Sequence, residues 1–391
     1  MHVSKNAEHF DHWIRTRFID FNTDLETLYF AQDDKDLIEG VGDNIKATLE
    51  EEGRRFIVAL LDEGNTDEGF DRAFDLLGNL GLYMAALRRH ELTNPDREER
   101  SPFQAASALG LHIGASVGLV PRFATSHLAT HNRAVDGKIK SFTSLEQEHF
   151  FVNANTAGII GYMRASDALK RIVPLGVSHP ITPLLLKQAG DALNDVATSN
   201  RKLNDKLDVD RFFYSVRPYY KPYRVGRHIY RGANAGDFSG INEIDMLLGL
   251  CNANDPYYAQ LLLDKMLFMR PEDQTSLRDC MRRRSLLDQL LDQIDRANTP
   301  WFQENATAFL AVCAAHGATA SQHHDQLVAR FIEAPSKAVG DDKLDQITAS
   351  GPPLPVLLRA LEHLRDLRLA APRDDIATAH NKIQRLRNAL T

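Results

Sequence analysis

The richest store of reactive side chains lies near the C-terminus, in the run AAHGATASQHHD from Ala314 to Asp325, preceded by Cys313. One thiol and three imidazoles, His316, His323 and His324, suggest a metal. On a helix rising about 1.5 Å per residue, however, Cys313 and His324 stand roughly 16 Å apart along the axis, too far for one tetrahedral ion. A single inward imidazole, His324, set among small residues suits an axial ligand to a flat porphyrin. A core histidine bonded to a carbonyl explains the same pattern, and the residues alone leave both open.

A second constellation is RFFYSVRPYY, where Arg217 follows Phe212 and Phe213 by five and four positions. On a helix that spacing puts the guanidinium beside an aromatic ring. Such a pair can grip a carboxylate bidentately while rings pack an aromatic body. An arginine snorkelling from a core helix, or an aromatic and basic loop for single-stranded nucleic acid, are the alternatives. The third is SHLATHN, in which Ser126 precedes His127 and His131, an i, i+4 pair that one helix face could present for acid–base work. No glutamate lies between these histidines, so zinc-peptidase chemistry is excluded.

The elements that must carry these groups read as helices. Apolar residues recur with the helical period along most of the chain, and alternating β-branched runs are scarce, which predicts an all-α fold. Two amphipathic segments between Asp36 and Leu92, separated by GNTD, predict a helical hairpin. A long core helix is expected from Ile181 to Leu207, and another from Trp301 to Ile332 whose inward stripe includes Phe309, Cys313, Ala320, His324 and Phe331. The polar stretch TNPDREERSP, ending at Pro102, lies near a boundary between a small N-terminal helical part, 1–120, and a large domain, 121–391.

A length of 391 residues buries a proper core without staples, and three scattered cysteines, Cys251, Cys280 and Cys313, fit a reducing compartment. The net charge of −7 is spread along the chain, which argues against nucleic acid or an anionic membrane as partner. No apolar leader opens the chain and no run approaches roughly 18 apolar residues. The expected location is the cytoplasm.

Taken in order, these segments resemble the histidine-ligated haem dioxygenase superfamily of indoleamine and tryptophan 2,3-dioxygenases, nearest its monodechloroaminopyrrolnitrin synthase branch. HHDQLVARFI is similar to the segment carrying the proximal haem ligand, FFYSVR to the substrate-contacting segment, and RGANAGDFSG to the loop over the haem. VPRFATSHLATHN and EHFFVNANTAG take the places of distal-pocket helices, and ITASG that of a closing loop.

The resemblance implies a helical bundle around haem b held by His324, without a covalent link, since Val328 stands where the covalent branch has cysteine. It implies substrate contacts from Phe150, Phe151, Phe212, Phe213 and Arg217, from the loop residues Ala233, Asn234 and Ala235, and from Thr348 and Ser350. Ser126, His127 or His131 would serve on the distal side. The implied activity is oxygen or peroxide chemistry on a small aromatic amino acid or indole, in secondary metabolism or aromatic amino-acid catabolism. A haem sensor or carrier without turnover and a peroxide-dependent hydroxylase are the alternatives, and a homodimer is left open.

Overall fold

The computed structural model describes residues 4–64, 69–338 and 353–390. As expected, helix dominates, and among the described residues the only paired strands of any length are a short antiparallel hairpin, β1 (Tyr223–Val225) and β2 (His228–Tyr230). None of these helices is long and apolar enough to cross a membrane.

The chain forms two compact units that do not follow chain order. The first comprises Met1–Asn153, Leu207–Asp237 and Ala334–Leu354, and the second comprises Ala154–Lys206, Phe238–Glu333 and Pro355–Thr391. In the first unit α1 (Lys5–Ile14) and α2 (Arg17–Phe30) pack with the predicted hairpin, α3 (Asp43–Glu63) and α4 (Phe70–Arg89), and with α5 (Gln104–Val117). The glycine of GNTD does what its position demands: Gly64 takes φ 77° and returns its N–H to the Leu60 carbonyl at 3.2 Å, ending α3. Phe10, Trp13, Phe56 and Tyr83 form the aromatic centre, and Tyr83 reaches across α3 at Gly53 to donate to the Glu50 carbonyl at 2.8 Å.

Helix α4 is buried on nearly every side because its glycines admit neighbouring backbone. A Cβ on Gly81 would lie 2.1 Å from the Phe123 nitrogen, and one on Gly78 would lie 2.4 Å from the His127 ring. These notches seat the segment that carries Ser126 and His127.

Helix α6 (Glu146–Leu175) begins in the first unit and continues in the second. There α7 (Thr182–Lys206), the predicted long core helix, buries Leu186, Ala189, Leu193, Val196 and Leu203 against α12 (Pro300–Ser321). Between them in sequence come α8 (Ser239–Leu247), α9 (Pro256–Met266), α10 (Pro271–Cys280) and α11 (Leu286–Asp292), and α13 (Leu354–Arg368) and α14 (His380–Asn388) close the chain. One continuous apolar core joins these helices, with Leu169, Leu193, Ile244, Leu277, Leu290, Phe302 and Phe309 fully or nearly fully buried. The expected helix to Ile332 is α-helical only as far as Ser321. From Gln322 to Glu333 it widens into the π form, a geometry usually found in short pieces and at functional positions.

Gly81→Ala should destabilise the protein by about 1–3 kcal/mol, because the added methyl meets backbone that cannot rotate away. Urea unfolding would show a lowered midpoint at unchanged slope, and an unshifted midpoint would mean that the contact is not close.

Candidate active site

The helix expected over SHLATHN is absent: residues Thr125–His127 make one 3-10 turn and hydrogen-bonded turns follow, so His127 and His131 do not share a helix face. His127 is buried and stacks on Phe74 at 3.9 Å. Its Nε2–H donates to the Phe74 carbonyl at 2.8 Å, and its Nδ1 accepts the Ala124 N–H at 2.9 Å. Burial first, and then the charge of Lys140, push this imidazole down to about 3, so it stays neutral. His131 meets the edge of Phe74 and pairs with the Thr130 hydroxyl at 2.8 Å. Ser126 keeps a buried hydroxyl with no partner among the described residues.

The segment RFFYSVR makes a second π turn, Phe212–Val216, closed by the Arg217 N–H on the Phe212 carbonyl. Phe212 packs on Phe151, ring centroids 4.8 Å apart, and the Arg217 guanidinium lies 5.0 Å from the centre of the Phe213 ring. The four-residue pairing expected from sequence therefore forms. Phe150, one position before Phe151, is half-buried. Desolvation pushes Arg217 down to about 10, and among the described residues no carboxylate lies within ion-pair distance of it.

What holds this turn was not legible in the sequence. Arg89, buried on α4, makes a bidentate pair with the equally buried Glu26 at 2.6 and 2.9 Å, and its Nη2 also donates to the Tyr214 carbonyl at 2.8 Å. Arg122, fully buried over the Tyr223 ring, donates to the carbonyls of Tyr230 and Arg231. It thereby fixes the start of the GANAG loop. That loop is tied shut by Arg231 and Asp237, 2.9 Å apart, and by the Asn234 side chain accepting the Gly236 N–H at 2.8 Å. Ala233 is buried, whereas Asn234 and Ala235 are half-buried. Thr348 and Ser350 lie outside the described residues.

In the second unit, His324 stands near the start of the π segment, half-buried. Its Nδ1 lies 2.8 Å from Asp325 Oδ1, and Arg365 lies 3.1 Å from the same oxygen. An imidazole that donates Nδ1–H to a carboxylate keeps the Nε2 lone pair free, which is the arrangement that prepares a histidine for iron. The donor set thus fits a haem ligand. Neighbouring positions on a regular α-helix do not face each other, so the His324–Asp325 pair was not expected from the spacing. Its neighbour His323 is exposed on its own surface. Among the described residues no three His, Cys, Asp or Glu side chains converge on one point.

Two turns upstream on α12, His316 is fully buried, its Nε2 2.7 Å from Asp245. Arg368 grips the same carboxylate at 2.8 Å through two nitrogens, and Tyr258 donates to it at 2.7 Å. Burial alone would raise the Asp245 carboxyl, but the Arg368 charge and the His316 hydrogen bond overcome this and hold it well below the usual range.

A largely helical frame with a carboxylate-tied imidazole fits the class of helical enzymes that work with haem. Residues 4–390 match the model of the family described as monodechloroaminopyrrolnitrin synthase PrnB, and the chain belongs to that family. This is the branch that the sequence resembled. Its members are haem-dependent enzymes of secondary metabolism that act on aromatic substrates. No curated protein matches the chain.

His127 is neutral in the folded protein, with its pKa lowered to about 3, and titrates near 6.5 once unfolded. The unfolded chain therefore binds the extra proton first, and stability is complete above pH 6.5 and lost as pH falls towards 3. Urea unfolding at pH 7, 6 and 5 should show a stability loss reaching about 1.4 kcal/mol per pH unit from this group. His127→Asn should remove that part of the slope, and identical slopes would refute the assignment.

Proposed function

We propose that the protein is a haem-dependent oxygenase acting on a tryptophan-like aromatic amino acid or indole, with His324 as the iron ligand and haem b held without a covalent bond. The observation that carries this reading is the Asp325 carboxylate 2.8 Å from His324 Nδ1, which leaves Nε2 to donate to a metal. Haem iron supplies, when bound, the power to activate oxygen or peroxide towards an electron-rich ring. The protein's share is binding and orientation. Phe151, Phe212 and Phe213 offer ring faces to the substrate, and Arg217 takes its carboxylate. A cation already stacked on an aromatic and lacking an anion gains a charge-assisted hydrogen bond when a carboxylate arrives. The buried Ser126 hydroxyl can hold a polar atom or water on the distal side. Thr348 and Ser350 are proposed partners of the substrate ammonium group, and Asn234 a proposed contact from the GANAG loop.

His324→Ala should abolish retention of haem, read as loss of the Soret band after desalting, while His323→Ala keeps it. The opposite pattern would move the ligand one position along the chain. Asp325→Asn should retain haem at about 10–100-fold lower affinity, because the imidazole loses its anionic partner.

Arg217→Leu should weaken binding of L-tryptophan to the haem-loaded protein, seen as the ligand-induced spectral shift, by about tenfold to a hundredfold. An unchanged affinity would place the carboxylate elsewhere.

A further inference from the structure

The Asp325 carboxylate that ties His324 is itself shared. Its Oδ1 lies 2.8 Å from His324 Nδ1 and accepts an N–H of Arg365 Nη1 at 3.1 Å, and that Nη1 stands 3.4 Å from the imidazole nitrogen. An ionised carboxylate only accepts, so the short contact puts the proton of His324 on Nδ1. The guanidinium is not free to swing away. Its Nε and Nη2 both donate to Asp366 Oδ1, at 3.0 and 2.9 Å, and the buried Asp366 is held in turn by Arg373. One turn further along α13, Arg368 grips Asp245, which also meets His316 of α12. Helix α13 is thus pinned at two places to the run of chain that carries His324, by Arg368 through Asp245 and by Arg365 through Asp325. All of these residues belong to the second unit.

We propose that Arg365 is a positioning residue for the iron ligand, acting through Asp325: it fixes the carboxylate against the imidazole and draws charge out of the oxygen that the two share. This rests on the proposed function, in which His324 binds haem iron. A histidine that donates to a carboxylate becomes a more basic ligand, the more so the more negative the oxygen. A second donor on that oxygen, carrying a full positive charge, weakens the pull. The imidazole therefore stays short of imidazolate, and the haem it holds keeps a higher reduction potential than Asp325 alone would set. The side chains of Arg365 and Asp325 are 21% and 50% exposed, and an ion pair so open contributes little to stability. What the pair contributes is the placement and polarity of one oxygen.

The test uses the haem-loaded full chain as wild type, Arg365→Met and Arg365→Gln, two uncharged replacements. In a redox titration each variant should favour ferric over ferrous haem at least threefold more than wild type does, a fall in midpoint potential of roughly 28 mV or more. The iron–imidazole stretching vibration of the ferrous protein should move to higher frequency, because a more anionic ring binds the iron more stiffly. A residue that only supported the fold would move neither. Asp325→Asn should shift both readouts the other way, and Arg365→Met added to it should give less than half of its shift in the wild-type background. An unmoved potential or an unmoved vibration overturns the proposal. So does a full Arg365→Met shift in the Asp325→Asn background, which would mean that the charge acts through space, and so does failure of both Arg365 variants to fold. Failure of the His324 assignment shows separately: His324→Ala then keeps the Soret band, whereas failure of the Arg365 role alone leaves that band dependent on His324.

Discussion

A carboxylate sealed from water must have its charge answered on the spot, and Asp245 shows what that demand does to a fold. Its oxygens are met by the Arg368 guanidinium, the His316 imidazole and the Tyr258 hydroxyl, drawn from α13, α12 and α9. Removing one partner of a buried pair typically costs about 3–5 kcal/mol, far more than any single apolar contact on these helices. The network therefore sets the rotation of α12 about its axis. His324 lies eight residues beyond His316 along that same run of chain, so the presentation of the candidate iron ligand depends on a charge that never sees solvent.

The first unit repeats the principle with other residues. Glu26 and Arg89 neutralise each other in the core, and the remaining donor of Arg89 holds the Tyr214 carbonyl inside the turn that carries Phe212, Phe213 and Arg217. Glycines on α4 do the complementary work of omission, since the backbone near Phe123 can approach only where no Cβ stands. Rigid partners thus surround Arg217, which itself has no anion partner among the described residues. The binding role proposed for Arg217 rests on that contrast between satisfied and unsatisfied cations.

Two of the three segments singled out for chemistry adopt the π form, in Phe212–Val216 and Gln322–Glu333. A wider turn costs hydrogen-bond geometry and survives where tertiary contacts hold it. It also changes which side chains face one another, and the His324–Asp325 pair lies within such a segment. The expected helix over SHLATHN failed for a related reason: the ring of His127 finds backbone partners at Ala124 and Phe74 that a helical turn would have denied it.

From its residues alone the chain determined the class of fold, the α3–α4 hairpin and the long core helix α7, because the helical period and a glycine cap act over a few neighbouring positions. The order of its motifs determined the family, and the spacing of Phe213 and Arg217 determined their contact. Tertiary structure alone decided that Arg217 makes no ion pair among the described residues and that Asp245 gathers three partners. It also decided that Asp325 orients His324, and that the compact units interleave along the chain. Each of these depends on burial and on residues far apart in sequence. The free energy of a charge is set by what surrounds it in space, and a one-dimensional pattern does not carry that information.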